Sequence, residues 1–367
     1  MKRKDIEERL ILVALTGSHS YGLNMPSSDK DYKGIFIAPI QYYLGTKNIE
    51  QKDKGWETEE GTGSFDYLTE KDTVCYELQK YLKLASQCNP NILELLYEDP
   101  KLYTYVSTVG QKLINNRELF LTKRVKHTYS GYAHAQIKKI KTHRNWLLNP
   151  VLVKPDLKDF GLTEHSVLSK GEINAFLEFV WMMIRDRIEY FEEEKELKIF
   201  LQEKIDLKGV LKQNNLPEGP IQEYVQELTR GSKDFMSLLT KTQKYKSAMD
   251  QYNAYQSWKN NRNESRAELE AKCGYDSKHA AHCIRLLRMG NEILLTGEVK
   301  VLRPDYSELL NIRKGNVPYE EVINMADNLF KELESSYVKS NLPHSCNMDS
   351  IDNLSLELIE EFTGVKF

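Results

Sequence analysis

Long apolar runs and paired cysteines are both scarce in this sequence. No stretch approaches the roughly 18 apolar residues that a membrane-spanning helix needs, so we expect no membrane anchor. The five cysteines are scattered without a CxxC pair, which is typical of reduced thiols in a cytosolic protein. The apolar stretch near the start is too short for the core of a secretory signal. We therefore expect a soluble, cytoplasmic protein.

A strong positive charge is also absent, because the formal net charge is −3. This excludes a globally basic nucleic-acid binder, so any contact with nucleic acid must come from a local patch. The chain has 367 residues, 40% of them hydrophobic, which is enough to bury a core and suggests two domains.

The N-terminal part of the chain carries strand patterns. Residues 10–15, 34–38 and 73–76 are short runs of strand length, rich in β-branched and aromatic side chains. Between them, the polar residues 46–71 predict a loop or an edge hairpin. From Glu77 onward the apolar side chains take helical spacing, which predicts a helix directly after the third strand.

Helical patterns dominate beyond about residue 105. Amphipathic spacing predicts a long helix within residues 172–198 and shorter ones over 279–295 and 354–362. The strongly polar residues 200–270 predict a helical insertion with long loops. The pattern as a whole predicts an N-terminal domain of strands and helices followed by a mostly helical domain.

Two aspartates, Asp29 and Asp31, stand at the start of the second predicted strand. In an extended chain, residues two apart point to the same side, where two carboxylates repel unless a divalent cation lies between them. Magnesium prefers such oxygen ligands and completes its shell with water and nucleotide phosphates. The first strand ends at Gly17 and Ser18, where glycine lets the backbone approach a phosphate. Asp-x-Asp alone is more often a turn, but this combination predicts a site for phosphoryl transfer.

The apolar strand, Gly17-Ser18, Asp29-x-Asp31 and the next strand together resemble the hG-S…D-x-D signature of the DNA polymerase β superfamily of nucleotidyltransferases. Three further blocks resemble its RNA ligase-associated, or YcgL-like, predicted nucleotidyltransferase family: residues 72–96, 275–287 and 297–315. The resemblance implies an α+β fold, in which a polymerase β-type mixed sheet with flanking helices precedes a mostly helical C-terminal domain. We expect the catalytic domain over residues 1–110 and the helical domain over 111–367, with an insertion over about residues 150–270.

The resemblance also implies the chemistry. It implies transfer of a nucleotide from an NTP to an acceptor hydroxyl, with Mg²⁺ or Mn²⁺ held by Asp29, Asp31 and a third carboxylate. Asp72 is the preferred third ligand because it opens the third predicted strand. Glu77 is the alternative, although an acidic residue at a helix start is also favoured by the helix dipole alone.

Lys278 and His279 begin a predicted helix, whose exposed N–H groups favour a phosphate. Arg285, seven residues after Lys278, lies on the same face of that helix. The resemblance implies that Lys278, His279 and Arg285 bind the nucleotide, together with Gly17 and Ser18. The spacing of His279 and His282 would suit zinc, but no third ligand is evident and a zinc site is not expected.

A basic belt, residues 119–155, contains no Asp or Glu. Dispersed cations bind the phosphates of a nucleic acid, and unpaired bases stack on flat aromatic side chains such as Tyr129, Tyr132 and Trp146. The belt therefore predicts a groove for RNA or for a triphosphate, with a solvated helix face as the alternative. The residues expected to contact RNA are Lys138, Lys139, Lys141 and Arg144.

Three functions remain open at this point. The leading hypothesis is nucleotide transfer to an RNA end, in RNA repair or modification. The second keeps the chemistry but transfers the nucleotide to a protein side chain. The third is a non-catalytic nucleotide-binding module, against which the intact Asp29 and Asp31 argue.

Overall fold

The computed structural model describes most of the chain, namely residues 1–26, 28–70, 72–175 and 233–366. Residues 1–147 and 265–367 form one compact unit, and residues 148–264 form another. The long helix predicted within residues 172–198 lies almost entirely outside the described residues. The functional boundary expected at residue 110 stays a prediction.

A five-stranded mixed sheet lies in the first unit. Its order is β3-β4-β2-β1-β5, in which β1 is antiparallel to β2 and β5, and β2 is parallel to β4. The three predicted strands are present with shifted ends, the polar segment contributes a two-residue edge strand, and the fifth strand was not predicted. The strands are β1 (Leu10–Thr16), β2 (Asp31–Phe36), β3 (Gln51–Lys52), β4 (Val74–Glu77) and β5 (Tyr103–Val106).

Strand β1 is covered on both faces, which explains its continuous apolar sequence. Ile11 and Ala14 pack into the larger core cluster of the unit, and Val13 packs into a smaller cluster on the other face of the sheet. Only Leu15 of this strand is partly exposed. The strand therefore holds its C-terminal end, where Gly17 follows, in a fixed position.

Helices surround the sheet and build the C-terminal region, so the expected α+β architecture is confirmed. Residues 279–295 and 354–362 are helical as predicted, within longer helices. In chain order the α-helices of the described residues are α1 (Arg3–Glu7), α2 (Gln41–Leu44), α3 (Leu78–Ser86), α4 (Pro90–Leu93), α5 (Thr108–Asn115), α6 (Val125–Leu148), α7 (Lys233–Asn261), α8 (Glu264–Cys273), α9 (Ser277–Thr296), α10 (Tyr306–Arg313), α11 (Tyr319–Lys339) and α12 (Met348–Thr363).

Helix α9 is the centre of the C-terminal region. It packs against α10 and α11, and its Ile284 and Leu287 join the same core cluster as Ile11 of the sheet. Most positions from Ala280 to Leu294 are buried, including the charged Arg285. Within the described part of the chain, no helix is long and apolar enough to cross a membrane.

The second unit contains α7 and the segment that precedes the undescribed residues. Leu168 joins the two, because its N–H donates to the Thr242 hydroxyl at 3.4 Å and its carbonyl accepts from Lys246 Nζ at 2.7 Å. The rings of Phe160 and Tyr245 meet edge to face. Within residues 200–270, predicted as a helical insertion with long loops, residues 233–261 form one long helix, so the helical part of the prediction holds there.

Candidate active site

The end of β1 and the start of β2 bring the loop that begins with Gly17 and Ser18, called the Gly-Ser loop below, against Asp31. Thr16 lies opposite Asp31 in the antiparallel register, and its hydroxyl donates to the Asp31 carbonyl at 3.1 Å. Gly17 then turns the chain with φ +70, and a Cβ atom at this position would overlap the Asp31 carboxylate. Glycine is thus required at residue 17 both by the backbone conformation and by the neighbouring carboxylate.

The loop that follows Gly17 is closed by its own hydrogen bonds. The Ser20 hydroxyl donates to the Gly17 carbonyl at 3.0 Å, and the Leu23 N–H donates to the Ser18 carbonyl at 2.9 Å. Ser18 is partly exposed on this loop. Of the two predicted phosphate-binding residues, Gly17 therefore lies against Asp31, and Ser18 follows it in the loop.

Asp72 approaches Asp31 through the parallel pairing of β2 with β4. Lys33 lies opposite Val74 in this register, so continuing the register by two residues places Asp72 beside Asp31. Asp72 precedes β4 by two residues and is exposed. Its predicted position at the opening of the third strand is thus reproduced to within two residues.

The pKa of Asp31 is raised, and the causes identify its neighbours. Burial raises this pKa most, and the negative charge of Asp72 raises it next; Asp29 acts in the same direction more weakly. The positive charges of Lys278 and Lys33 lower it. Asp29, Asp72 and Lys278 therefore lie within electrostatic reach of Asp31, although Lys278 is far away in the sequence.

These three carboxylates suit a divalent cation by their chemistry and exposure. Asp29 and Asp72 are exposed and Asp31 is half-buried, so all are accessible to a hydrated ion. Their oxygen atoms do not all lie within 4.8 Å of one another. Magnesium usually takes only one or two carboxylates and completes its shell with water and phosphate, so this wider arrangement fits an ion bound together with a triphosphate.

Glu77, the alternative third ligand, is used elsewhere. Its carboxylate caps α3, accepting from the N–H groups of Gln79 at 2.8 Å and Lys80 at 3.3 Å, and it also accepts from the Tyr43 hydroxyl. The residue is only 4% exposed. A carboxylate held in this way is a helix cap, so the geometry favours Asp72 as the third ligand.

The structure differs from the expectation for Arg285. This side chain is 0% exposed, and its Nη1 donates to Glu94 Oε1 at 2.8 Å. The guanidinium also stacks over the ring of Tyr21 at 3.7 Å, and the Tyr21 hydroxyl donates to Glu94 Oε2 at 2.6 Å. Arg285 shares no exposed face with Lys278, because α9 is buried on almost all sides. Its contacts place it beneath the Gly-Ser loop, where it supports Tyr21.

Two further charged residues of this region were missed by the sequence analysis. Lys33 lies on the same side of β2 as Asp31, and its Nζ donates to the Asn91 carbonyl at 2.8 Å. The pKa of Glu98 is raised to about 8, mainly by burial and then by the negative charge of Glu94. The spacing of two residues from Asp31 was a usable signal for Lys33, whereas Glu98 has no local signal.

The start of α9 holds Lys278 in an exposed position. Asp276 caps this helix, accepting from the His279 N–H at 3.1 Å through Oδ1. The imidazole of His279 also faces Asp276, with 3.5 Å between His279 Nε2 and Asp276 Oδ2. The helix start predicted to receive a phosphate therefore already has one carboxylate, and Lys278 is the residue here whose charge acts on Asp31.

The basic belt lies mainly along α6. Lys138, Lys139 and Lys141 are exposed on this helix. Arg144 instead donates to the Gly274 carbonyl at 2.9 Å and stacks over Tyr319 at 4.1 Å, so it supports the fold. Tyr129, one of the aromatic residues expected to meet bases, is fully buried and cannot do so.

Comparison with known proteins bears on the same region. Residues 2–152 match the family model described as the RNA repair pathway DNA polymerase beta family. The match supports a polymerase β-like nucleotidyltransferase family for this part of the chain. The matched range contains Gly17, all three acidic residues and most of the basic belt, and it confirms the resemblance found in the sequence. Lys278 lies outside it.

A relative with a similar length is found in a phage. The chain is 24% identical over 336 residues to the "Uncharacterized 38.9 kDa protein in nrdC-mobD intergenic region" of Enterobacteria phage T4, and the alignment covers 89% of each chain. No solved structure matches the chain. The similarity to the phage protein therefore extends beyond the part that the polymerase β-like family model covers.

Proposed function

We propose that this protein is a nucleotidyltransferase that moves a nucleotide from an NTP to a hydroxyl at an RNA end. The observation that carries the proposal is the arrangement around Asp31: Asp72, Asp29 and Lys278 all act on its pKa, and Gly17 lies against its carboxylate. The family description, which names an RNA repair pathway, supports RNA as the acceptor.

In this proposal Asp29, Asp31 and Asp72 hold Mg²⁺ or Mn²⁺. A cation at this position neutralises phosphate charge and orients the reacting oxygens of a phosphoryl transfer. Gly17 leaves room for the Asp31 carboxylate against the loop backbone, and Ser18 continues the same loop. Thr16 fixes the Asp31 backbone, so that the half-buried carboxylate points at a defined place.

Lys278 supplies the positive charge opposite the carboxylates and binds the triphosphate. Lys278→Ala is expected to raise the KM for NTP roughly ten- to hundredfold, because a charge-assisted contact to phosphate contributes about 1.5–3 kcal/mol. Binding of the nucleoside without phosphates should change little. Steady-state kinetics with Lys331→Ala, another exposed lysine, provides the control. An unchanged KM in Lys278→Ala would remove Lys278 from the site.

The exposed lysines of α6 supply the surface for the acceptor. Burial lowers the pKa of His282 most, and the charges of Arg285, His279, Lys139 and Lys278 lower it further. Lys139 and Lys278 therefore lie within electrostatic reach of one histidine. This proximity supports a continuous positive surface from the belt to the nucleotide, along which an RNA end can reach the carboxylates.

Reversing three charges of the belt tests the acceptor. The triple variant Lys138→Glu, Lys139→Glu and Lys141→Glu should bind single-stranded RNA more weakly, with a salt slope reduced by about 0.7 for each lost phosphate contact. Transfer to RNA should fall, while hydrolysis of NTP without RNA should remain, because the latter needs only metal and nucleotide. The matched control reverses three exposed lysines elsewhere, Lys331, Lys339 and Lys366.

The decisive assay for the function uses each labelled NTP in turn, with Mg²⁺ and total RNA. Label that appears on RNA and disappears on ribonuclease treatment supports the proposal. Label found only on a polypeptide that resists ribonuclease, with the belt variant as active as the wild type, would establish protein nucleotidylation instead. If no NTP supports transfer, non-catalytic nucleotide binding would be the remaining function.

A further inference from the structure

Two histidines and an aspartate meet where α6 approaches the start of α9. Nδ1 of His143 lies 3.1 Å from Oδ2 of Asp276, and Nε2 of His279 lies 3.5 Å from the same oxygen. The three ligand atoms all lie within 4.8 Å of one another. Among the residues that the structure describes, these are the three metal-ligating side chains whose ligand atoms lie this close together.

These separations match the edges of a metal coordination shell. Ligands at about 2.0–2.1 Å from a tetrahedral zinc ion lie roughly 3.3 Å from one another. The two histidine–aspartate separations, 3.1 and 3.5 Å, bracket this value. The spacing of the three ligand atoms therefore suits one metal ion placed between them.

The site is preorganised by bonds that do not involve a metal. The Asp276 side chain is 1% exposed, and its other oxygen, Oδ1, is fixed by capping the His279 N–H. His143 is anchored on the long helix α6, with its ring stacked against Trp146 at 5.7 Å. Both histidines remain partly exposed, at 16% and 20% of their side chains, so an ion can enter from solvent.

We propose that His143, Asp276 and His279 bind one zinc-like transition-metal ion, at a site separate from the magnesium carboxylates. Imidazole nitrogen suits zinc, cobalt and nickel, whereas magnesium requires oxygen ligands. Three protein ligands leave one position of a tetrahedral shell for water or another donor. The site differs from the pair His279 and His282 considered from the sequence, because the third ligand comes from a helix more than a hundred residues away.

The site has a structural consequence for Lys278, which lies between the ligands Asp276 and His279. A metal ion would tie the C-terminal half of α6 to the first turn of α9. Lys278 lies on that turn, and its positive charge lowers the pKa of Asp31. We therefore expect the ion to stabilise the start of α9 without taking part in the transfer reaction.

Cobalt binding tests the site directly on the full-length protein. The protein is first stripped with a chelator and then titrated with Co²⁺ in excess Mg²⁺, which occupies oxygen-rich sites. The wild type should bind one Co²⁺ with the visible absorption of a four- or five-coordinate ion, and Zn²⁺ should displace it. His143→Gln and His279→Gln should each weaken binding by at least about tenfold, since loss of even an outer partner costs roughly 10- to 100-fold.

Two controls make the result specific. His127→Gln changes an exposed histidine on the same helix α6 and should bind Co²⁺ as the wild type does. Asp31→Asn removes a proposed magnesium ligand and should also leave Co²⁺ binding unchanged, which separates this site from the proposed function. The proposal is overturned if the wild type shows no Co²⁺ absorption or if the two histidine variants, folded by circular dichroism, bind as tightly as the wild type. In that case Asp276 simply accepts hydrogen bonds from the imidazoles.

Discussion

Asp31→Asn is expected to abolish nucleotide transfer and, without divalent cations, to raise the melting temperature. The substitution removes a hard anionic ligand from the proposed metal site. Because a metal ion contributes several kcal/mol to a phosphoryl transfer, kcat should fall by about a thousandfold or more. Labelled-NTP transfer measures the first effect, and thermal unfolding in a chelator measures the second.

The expected gain in stability follows from the raised pKa of Asp31. Burial, and then the charge of Asp72, raise this pKa in the folded protein above its value in the unfolded chain. The folded state therefore binds the proton more tightly, and the wild type loses stability as pH rises from the ordinary carboxyl pKa through the raised one. Asparagine carries no charge, so the gain in stability of Asp31→Asn over the wild type should be present at neutral pH and disappear at a pH below the ordinary carboxyl pKa.

Asp72 and Glu77 give a matched comparison for the same site. Asp72→Asn should also reduce transfer strongly, because its carboxylate lies beside Asp31. Glu77→Gln should retain most of the transfer activity but lose about 1 kcal/mol of unfolding free energy, since Glu77 caps α3. If Glu77→Gln were the inactive variant, or if Asp31→Asn remained active, the assignment of the carboxylates would be overturned.

The parts of the site that sequence patterns predict are those set by local chain geometry. The apolar run of β1 ends at Gly17, and the strand that starts at Asp31 pairs with it, so local spacing alone brings these residues together. To predict that Asp72 lies beside Asp31, one further step is needed, namely the pairing of β2 with β4. Strand β5 was missed because its four residues are mostly half-exposed and lack a buried apolar run.

The parts that sequence patterns miss depend on contacts between distant segments. Arg285 was expected on an exposed face because charged residues on a helix usually face solvent. Helix α9 is instead buried on nearly all sides, and Arg285 is compensated by Glu94, which precedes it by 191 residues. The contact of His143 with Asp276 has the same character, with a separation of 133 residues. Periodicity carries no information about such pairs.

Arg285→Met is expected to destabilise the first unit by about 3–5 kcal/mol. The Glu94 carboxylate is almost completely buried, and its ion pair with Arg285 is 2.8 Å long. Removing the guanidinium leaves this charge without its ion-pair partner in the core, which costs more than the loss of packing alone. Arg288→Met provides a control on the same helix: Arg288 pairs with the more exposed Asp305 and Glu308, so its loss should cost about 1 kcal/mol or less.

A double variant separates the buried charge from the packing. In Arg285→Met with Glu94→Gln, the neutral amide can still accept from the Tyr21 hydroxyl while no uncompensated charge remains. The double variant should therefore be more stable than Arg285→Met, and the coupling in a double-mutant cycle should exceed about 1 kcal/mol. Urea unfolding measures all four proteins. Because Tyr21 belongs to the Gly-Ser loop, Arg285→Met should also lower kcat, whereas an effect on the KM for NTP alone would indicate direct nucleotide contact. Additive costs in the cycle would show that Arg285 and Glu94 do not act as a coupled pair.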